Sequence, residues 1–111
     1  MENKKKLRFE NKLVSLVLSG KKYVTWRLFD DKNLQKGDNL ELINSEISEK
    51  FSEAIIEEIR EKKFKELNEE DFNGHEKFSS KEEMYKTYLG YYGEQFSPET
   101  IVKIIRFKLI K

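Results

Sequence analysis

The chain has 111 residues, with 22 basic and 21 acidic side chains, one His, one Pro and no Cys, and reads as one small domain over residues 1–111. Its 37% hydrophobic and 13% aromatic content, set against a mean hydropathy of −0.80, suffices for one core and excludes a disordered chain. Without Cys there are no disulfides or thiolate zinc sites, and one His excludes an all-imidazole metal site. Lys4-Lys5-Lys6 is followed by an apolar stretch that Ser15 and Ser19 interrupt, so no signal peptide, anchor or membrane span is expected and a cytoplasmic location is. Leu7-Arg8-Phe9 reads as a short first strand. Leu13, Val14, Leu16, Val17 and Leu18 cover one side of a helix that Gly20 ends, since glycine takes positive φ just past a last turn. From Tyr23 to Phe29 the pattern is β-branched and aromatic, with Val24, Trp26 and Leu28 on one face and Tyr23, Thr25, Arg27 and Phe29 on the other. The mixed second face suggests a site rather than plain core.

Asp30-Asp31-Lys32-Asn33 and Lys36-Gly37-Asp38 are turn material around a third strand at Leu40–Asn44. Residues 51–62 are ambiguous: Phe51, Ile55 and Ile59 fit a helix, Ala54–Ile59 fits a two-sided strand, and propensity favours the helix. Leu67–Phe72 reads as a short capped turn with acids at its start, broken by Asn73-Gly74. Ser80-Lys81-Glu82-Glu83 has capping-box form, and Met84, Tyr85, Tyr88 and Leu89 line a helix that stops near Gly90 or Gly93. Thr100–Ile110 is the closing strand, with Ile101, Ile105, Phe107 and Leu109 as its inward set. Helices grouped around a mostly antiparallel sheet or barrel make an α+β domain.

The net charge of +1 is unevenly spread. Residues 1–40 carry ten basic and five acidic groups, residues 41–100 eight and sixteen, and residues 101–111 four and none. If the two ends meet in one sheet they form a basic surface suited to a phosphate-bearing partner. The plainer account is a solvated, lysine-rich surface, with Lys outnumbering Arg eighteen to four.

The stretch richest in chemistry is Gly20-Lys21-Lys22-Tyr23-Val24-Thr25-Trp26-Arg27, a G-x-K-x-x-T-x-R pattern at a helix-to-strand junction. Thr25 and Arg27 share a strand face, and Lys22 sits at the turn just before, so the three can converge on one anionic or carbonyl-bearing ligand. The competing account is a solvated basic turn entering an edge strand. This stretch resembles the signature of the ASCH domain family, a PUA-like β-barrel related to RNA-binding modules. The helix ending in Gly20, Lys36-Gly37-Asp38, Phe64 with Leu67–Asp71, Gly74-His75-Glu76, the Tyr-rich helix and the Val/Ile strand follow the same order, so the resemblance covers nearly the whole chain. It implies a PUA-like, mostly antiparallel β-barrel flanked by two or three helices, with a long strand over residues 51–62 in place of the helix.

Within that superfamily the chain is similar in size to small N(4)-acetylcytidine amidohydrolases that use a Lys, a Thr and a Glu. The resemblance implies catalytic Lys22 and Thr25, with Glu76 as the acid and Asp71, Glu70 and Glu83 as alternatives, because loop lengths differ. A Thr hydroxyl needs a base to take its proton, and a Lys serves only when burial or a neighbouring cation such as Lys21 or Arg27 favours its neutral form. Substrate or RNA contacts are expected from Lys21, Arg27, His75 and Tyr91, with Trp26 and Tyr92 also able to stack on a base. Trp26 alternates with Val24 and Leu28, which places it in the core instead, and His75 is otherwise a surface loop residue. The expected partner is a nucleoside or single-stranded RNA, with no membrane partner, no cofactor, no metal, and a monomer or weak dimer. The same cleft serves the alternative of a non-catalytic RNA-binding module, and a nuclease is a third reading.

Overall fold

The structure is a computed structural model and describes residues 4–30, 32–75 and 77–110. The elements are β1 (Lys5–Phe9), α1 (Asn11–Leu18), β2 (Val24–Leu28), β3 (Asn39–Asn44), β4 (Glu49–Lys63), α2 (Lys81–Tyr92) and β5 (Ile101–Leu109). Short 3-10 turns lie at Phe64–Glu66, Glu69–Phe72 and Gly93–Gln95. No helix among the described residues is long and apolar enough to cross a membrane.

The five strands form one sheet in the order β1-β3-β4-β5-β2. Among the described residues only β1 and β3 run parallel; the other three pairings are antiparallel. The sheet curls into a half-barrel, so its two outer strands approach each other without a backbone ladder between them. A side chain spans that gap: Arg27 Nη2 on β2 donates to the Arg8 carbonyl on β1 at 2.9 Å. The α+β, PUA-like architecture implied by the resemblance is present, with two α-helices.

The long strand at 51–62 is also present, as β4, and replaces the helix that propensity favours. Its Phe51, Ile55 and Ile59 do recur at helical spacing, but β4 pairs along both of its edges, with β3 and with β5. Satisfying backbone groups on both sides outweighs a weak local preference. A register shift between Ile56 and Glu58 breaks the period of two, which is why alternation was hard to read there.

Two apolar clusters flank the sheet. Leu7, Phe9, Val17, Leu40, Leu42, Ala54, Ile56, Ile105 and Phe107 fill the inside of the half-barrel. Val24, Trp26, Leu28, Val102 and Ile104 pack outside it against Phe64, Leu67, Met84, Tyr88 and Phe96. β5 therefore serves both clusters, which corrects the expected inward set. Ile105 and Phe107 face the interior and Leu109 packs partly against it, but Ile101 is 49% exposed and Val102 and Ile104 are buried on the opposite face.

α1 buries Val17 and packs Leu13 against the interior, leaving Leu18 exposed. Gly20, at φ +83°, lets the chain turn so that the N–H groups of Lys21 and Lys22 both reach the Leu16 carbonyl at 3.0 Å. α2 begins at Ser80, whose hydroxyl accepts from Glu83 N–H at 3.1 Å. The Glu83 carboxylate returns to Ser79 N–H, one residue earlier than a strict capping box. The helix ends at Gly93, at φ +72°.

The basic ends of the chain do lie in one sheet, where several of their cations meet acids. Lys4 faces Glu53, Lys5 binds Asp38, Lys103 binds Asp30 and Arg106 faces Glu57. Two of these acids, Glu53 and Glu57, come from the acidic middle, so the uneven linear charge is offset in part.

Candidate functional site

Where the two outer strands of the half-barrel approach, a cleft of about 280 Å³ opens. Strand alternation explains what reaches it. Val24, Trp26 and Leu28 are committed to the outer cluster, so Thr25 and Arg27 face inward. Thr25 lies directly across from Ile105 in the β2·β5 ladder and is 5% exposed.

The turn after α1 delivers Lys22, which is 3% exposed. Its Nζ donates to the Val24 carbonyl at 2.8 Å. Arg27 Nε donates to Thr25 Oγ1 at 3.2 Å, and the guanidinium carbon stands 4.9 Å above the Phe9 ring. Lys22, Thr25 and Arg27 thus line one cleft, as their spacing suggests.

His75 reaches the same cleft from the loop after the Glu69–Phe72 turn. The Gly74 carbonyl accepts from both Tyr23 N–H (2.9 Å) and Val24 N–H (3.0 Å), fastening this loop to the start of β2. His75 is 6% exposed and stacks on Trp26, with ring centres 3.9 Å apart and planes 17° apart. Tyr88 Oη stands 3.5 Å from His75 Nε2. His75 is therefore a buried ring of the cleft wall, not a surface loop residue. Trp26 is core, as its strand phase implies, with one face occupied by His75. Its Nε1 is buried without a hydrogen-bond partner among the described residues.

Tyr91 and Tyr92 border the cleft from the end of α2. Tyr91 is 55% exposed, and its hydroxyl donates to Glu10 Oε1 at 2.7 Å. Lys21 is exposed and does not line the cleft, so the structure does not bring it together with the other expected contacts.

Glu76 lies outside the described residues. The alternative acids are engaged elsewhere. Asp71 is fully buried against Arg60 and Lys62, each at 2.9 Å; Glu83 caps the start of α2; and Glu70 borders a separate depression with Arg60 and Arg106. Sequence reasoning missed Arg8, Glu10, Ser45 and Tyr88 as lining residues. Arg8 arrives through the parallel β1·β3 pairing, Glu10 is met by the Tyr91 hydroxyl, and the Ser45 N–H donates to the Phe9 carbonyl at 2.9 Å. No local pattern announces such a long-range arrangement. Tyr88 was legible as an apolar helix position, though not as a neighbour of His75.

The arrangement offers a buried amine, a buried hydroxyl held by a guanidinium, an imidazole and phenols around one small volume. Such a set suits recognition of a compact polar ligand and attack on a carbonyl. The chain belongs to the ASCH domain family, whose model matches residues 2–111.

Solved structures agree in fold. Protein EF3133 from Enterococcus faecalis V583 superposes with a TM-score of 0.78 at 20% identity, covering 99% of this chain and 82% of that one. The ASCH domain from Lactobacillus crispatus JV V101 gives 0.70 at 15% identity, covering 89% and 70%. A mutant of the ASCH protein of Zymomonas mobilis gives 0.63 at 15% identity, covering 93% and 67%. Comparison with curated proteins gives no match.

Proposed function

We propose that this ASCH protein is an amidohydrolase that removes the acetyl group from N(4)-acetylcytidine or a related acylated nucleoside. The observation that carries the reading is the placement of two buried polar side chains, Lys22 and Thr25, in one cleft with His75 and Tyr91. Its volume of about 280 Å³ is near the lower end of small-molecule pockets, about 300–1,000 Å³, which favours a nucleoside over a long strand.

In this reading Thr25 Oγ attacks the acetyl carbonyl carbon while the neutral Lys22 amine takes its proton. The tetrahedral intermediate collapses, the C–N bond breaks, and Glu76 protonates the departing cytidine N4. Water, giving a proton to the Glu76 carboxylate, then attacks the acetyl ester on Thr25, acetate leaves, and the Thr25 oxygen recovers its proton from the Lys22 ammonium. His75 and Tyr91 contact the base or sugar from the walls.

A second reading is favoured by one observation: Arg8, Lys22 and Arg27 line the cleft with Glu10 as the sole carboxylate among the described lining residues. That surplus suits a non-catalytic module that holds RNA phosphates or base edges. Incubating the purified protein with N(4)-acetylcytidine and following cytidine release by chromatography separates the two. The amidohydrolase reading expects steady conversion, reduced at least about 100-fold in Thr25→Ala and in Lys22→Ala. No turnover at high enzyme concentration, together with RNA binding that weakens steeply with salt, selects the RNA module instead.

A further inference from the structure

We infer that Arg27 is a positioning residue for the Thr25 hydroxyl, anchored on the opposite lip of the half-barrel, rather than a contact to the ligand. This inference rests on the reading of Thr25 as nucleophile. A guanidinium has five N–H donors in a rigid plane and no acceptor, so each bond it makes constrains the others. Here Nε donates to Thr25 Oγ1 at 3.2 Å and Nη2 donates to the Arg8 carbonyl at 2.9 Å. The plane's central carbon stands 4.9 Å above the Phe9 ring, a cation–π distance. Two of these three attachments come from β1 and the third is the hydroxyl itself.

The donor geometry sets the direction of chemistry. Because Nε–H occupies an acceptor lobe of Oγ1, the Thr25 hydrogen is left to point toward another acceptor. Arg27 cannot be that acceptor, since it stays protonated throughout the working pH range. It stabilises negative charge that develops on Oγ1 as the proton departs, at a fixed place and without reorganisation. The position of the nucleophile then depends on the distance between β1 and β2, two strands at opposite ends of the sheet order.

Lysine is a poor substitute because it has neither the Nε–H at that point nor the planar fork. The test is steady-state turnover of N(4)-acetylcytidine by wild type, Arg27→Lys, Arg27→Gln and Phe9→Leu. Losing a preorganised donor on a reacting oxygen is expected to lower kcat about 100-fold in Arg27→Gln. Arg27→Lys is expected not to restore it, and KM is expected to stay within about twofold. Phe9→Leu keeps the guanidinium and an apolar core side chain but removes the ring beneath it, which also packs against Phe51 and Phe107, so kcat is expected to fall less, about fivefold, again at constant KM. A rise in KM at unchanged kcat, or full rescue by Lys, overturns the inference and makes Arg27 a ligand contact.

A second measurement does not need the substrate. The methyl order parameter of Thr25 by NMR is expected to be high in wild type and to drop in Arg27→Lys and in Phe9→Leu. Unchanged Thr25 order in both variants overturns the positioning role even if the wild type proves inert. An inert wild type with lowered Thr25 order removes the amidohydrolase reading alone.

Discussion

Asp71 shows how much of a site's surroundings can rest on one carboxylate. Its side chain is fully buried, accepts from Arg60 Nη2 and Lys62 Nζ at 2.9 Å, and also accepts from Asn68 N–H at 2.8 Å. Burial pushes its pKa up, but the Asn68 N–H and the Lys62 and Arg60 cations outweigh that and hold it below its ordinary value of 3.8. A carboxyl depressed in the folded state contributes stability that is complete above its unfolded pKa and is lost as pH falls through the folded one. Asp71 is therefore expected to stabilise the protein fully at neutral pH and to release that contribution only below about pH 4. Asp71→Asn is expected to cost about 2–4 kcal/mol at pH 7, since it leaves two cations without their partner. It should also flatten the acid limb of stability in urea titrations between about pH 4 and pH 2. At this scale the sequence was informative where chemistry is local. Lys22, Thr25 and Arg27 stood out because a strand and its leading turn put them together. Glu10 did not, because its place at the cleft depends on Tyr91 from the far end of the chain. Asp71 read equally well as a turn acid or as a site acid, and only its buried partners decide between them.

The loop after the Glu69–Phe72 turn is tied to the start of β2 through Gly74. Its Gly74 has φ +79°, and a β-carbon there would lie 2.5 Å from the Tyr23 ring. The same residue's carbonyl takes two N–H groups from the start of β2. Neither the left-handed backbone nor the ring contact tolerates a side chain. Gly74→Ala is expected to destabilise by about 1–3 kcal/mol in chemical denaturation. It should also disturb His75 and hence turnover, whereas Gly37→Ala, with open space around its β-carbon position, should cost only the left-handed strain of about 1 kcal/mol and leave turnover intact. Elements were legible to different degrees for physical reasons. β2, α1 and α2 carry their own boundaries in Gly20, Ser80 and Gly93. β4 does not, because Ser52, Glu53 and Ala54 are all buried in succession. A strand with such a run, and a register shift beyond it, loses the alternation on which sequence reading relies. Resemblance to the ASCH pattern supplied what periodicity did not.

For the molecule as a whole, polar side chains join distant segments alongside the two apolar clusters. Asp30, next to Phe29 at φ +53°, accepts from Lys103 Nζ at 2.7 Å and from Leu34 N–H at 2.8 Å. It thereby ties the connection after β2 to β5. Its side chain is 8% exposed; burial raises its pKa, but Lys103 and the N–H groups of Lys32 and Leu34 bring it below the ordinary value. Asp30→Asn is expected to lower stability by about 1–3 kcal/mol at pH 7 and by much less at pH 3, read from urea midpoints at both values. The charge asymmetry visible along the sequence is offset only in part by the fold. A linear count cannot show that Glu53 and Glu57, from the acidic middle of the chain, meet Lys4 and Arg106 at its basic ends. Only the pairing of strands makes that plain.

The strand order has a further consequence, in time rather than space. β2 pairs only with β5, so Val24, Trp26 and Leu28 have no ladder partner until residues 101–109 have been synthesised. On the ribosome, the segment carrying Lys22 and Thr25 emerges early and waits for almost all the chain that follows. Pairings this distant in sequence close slowly, on the order of milliseconds to seconds. The cleft is thus incomplete until β5 is in place, and a nascent chain that stops short of β5 leaves the apolar face of β2 without its ladder partner.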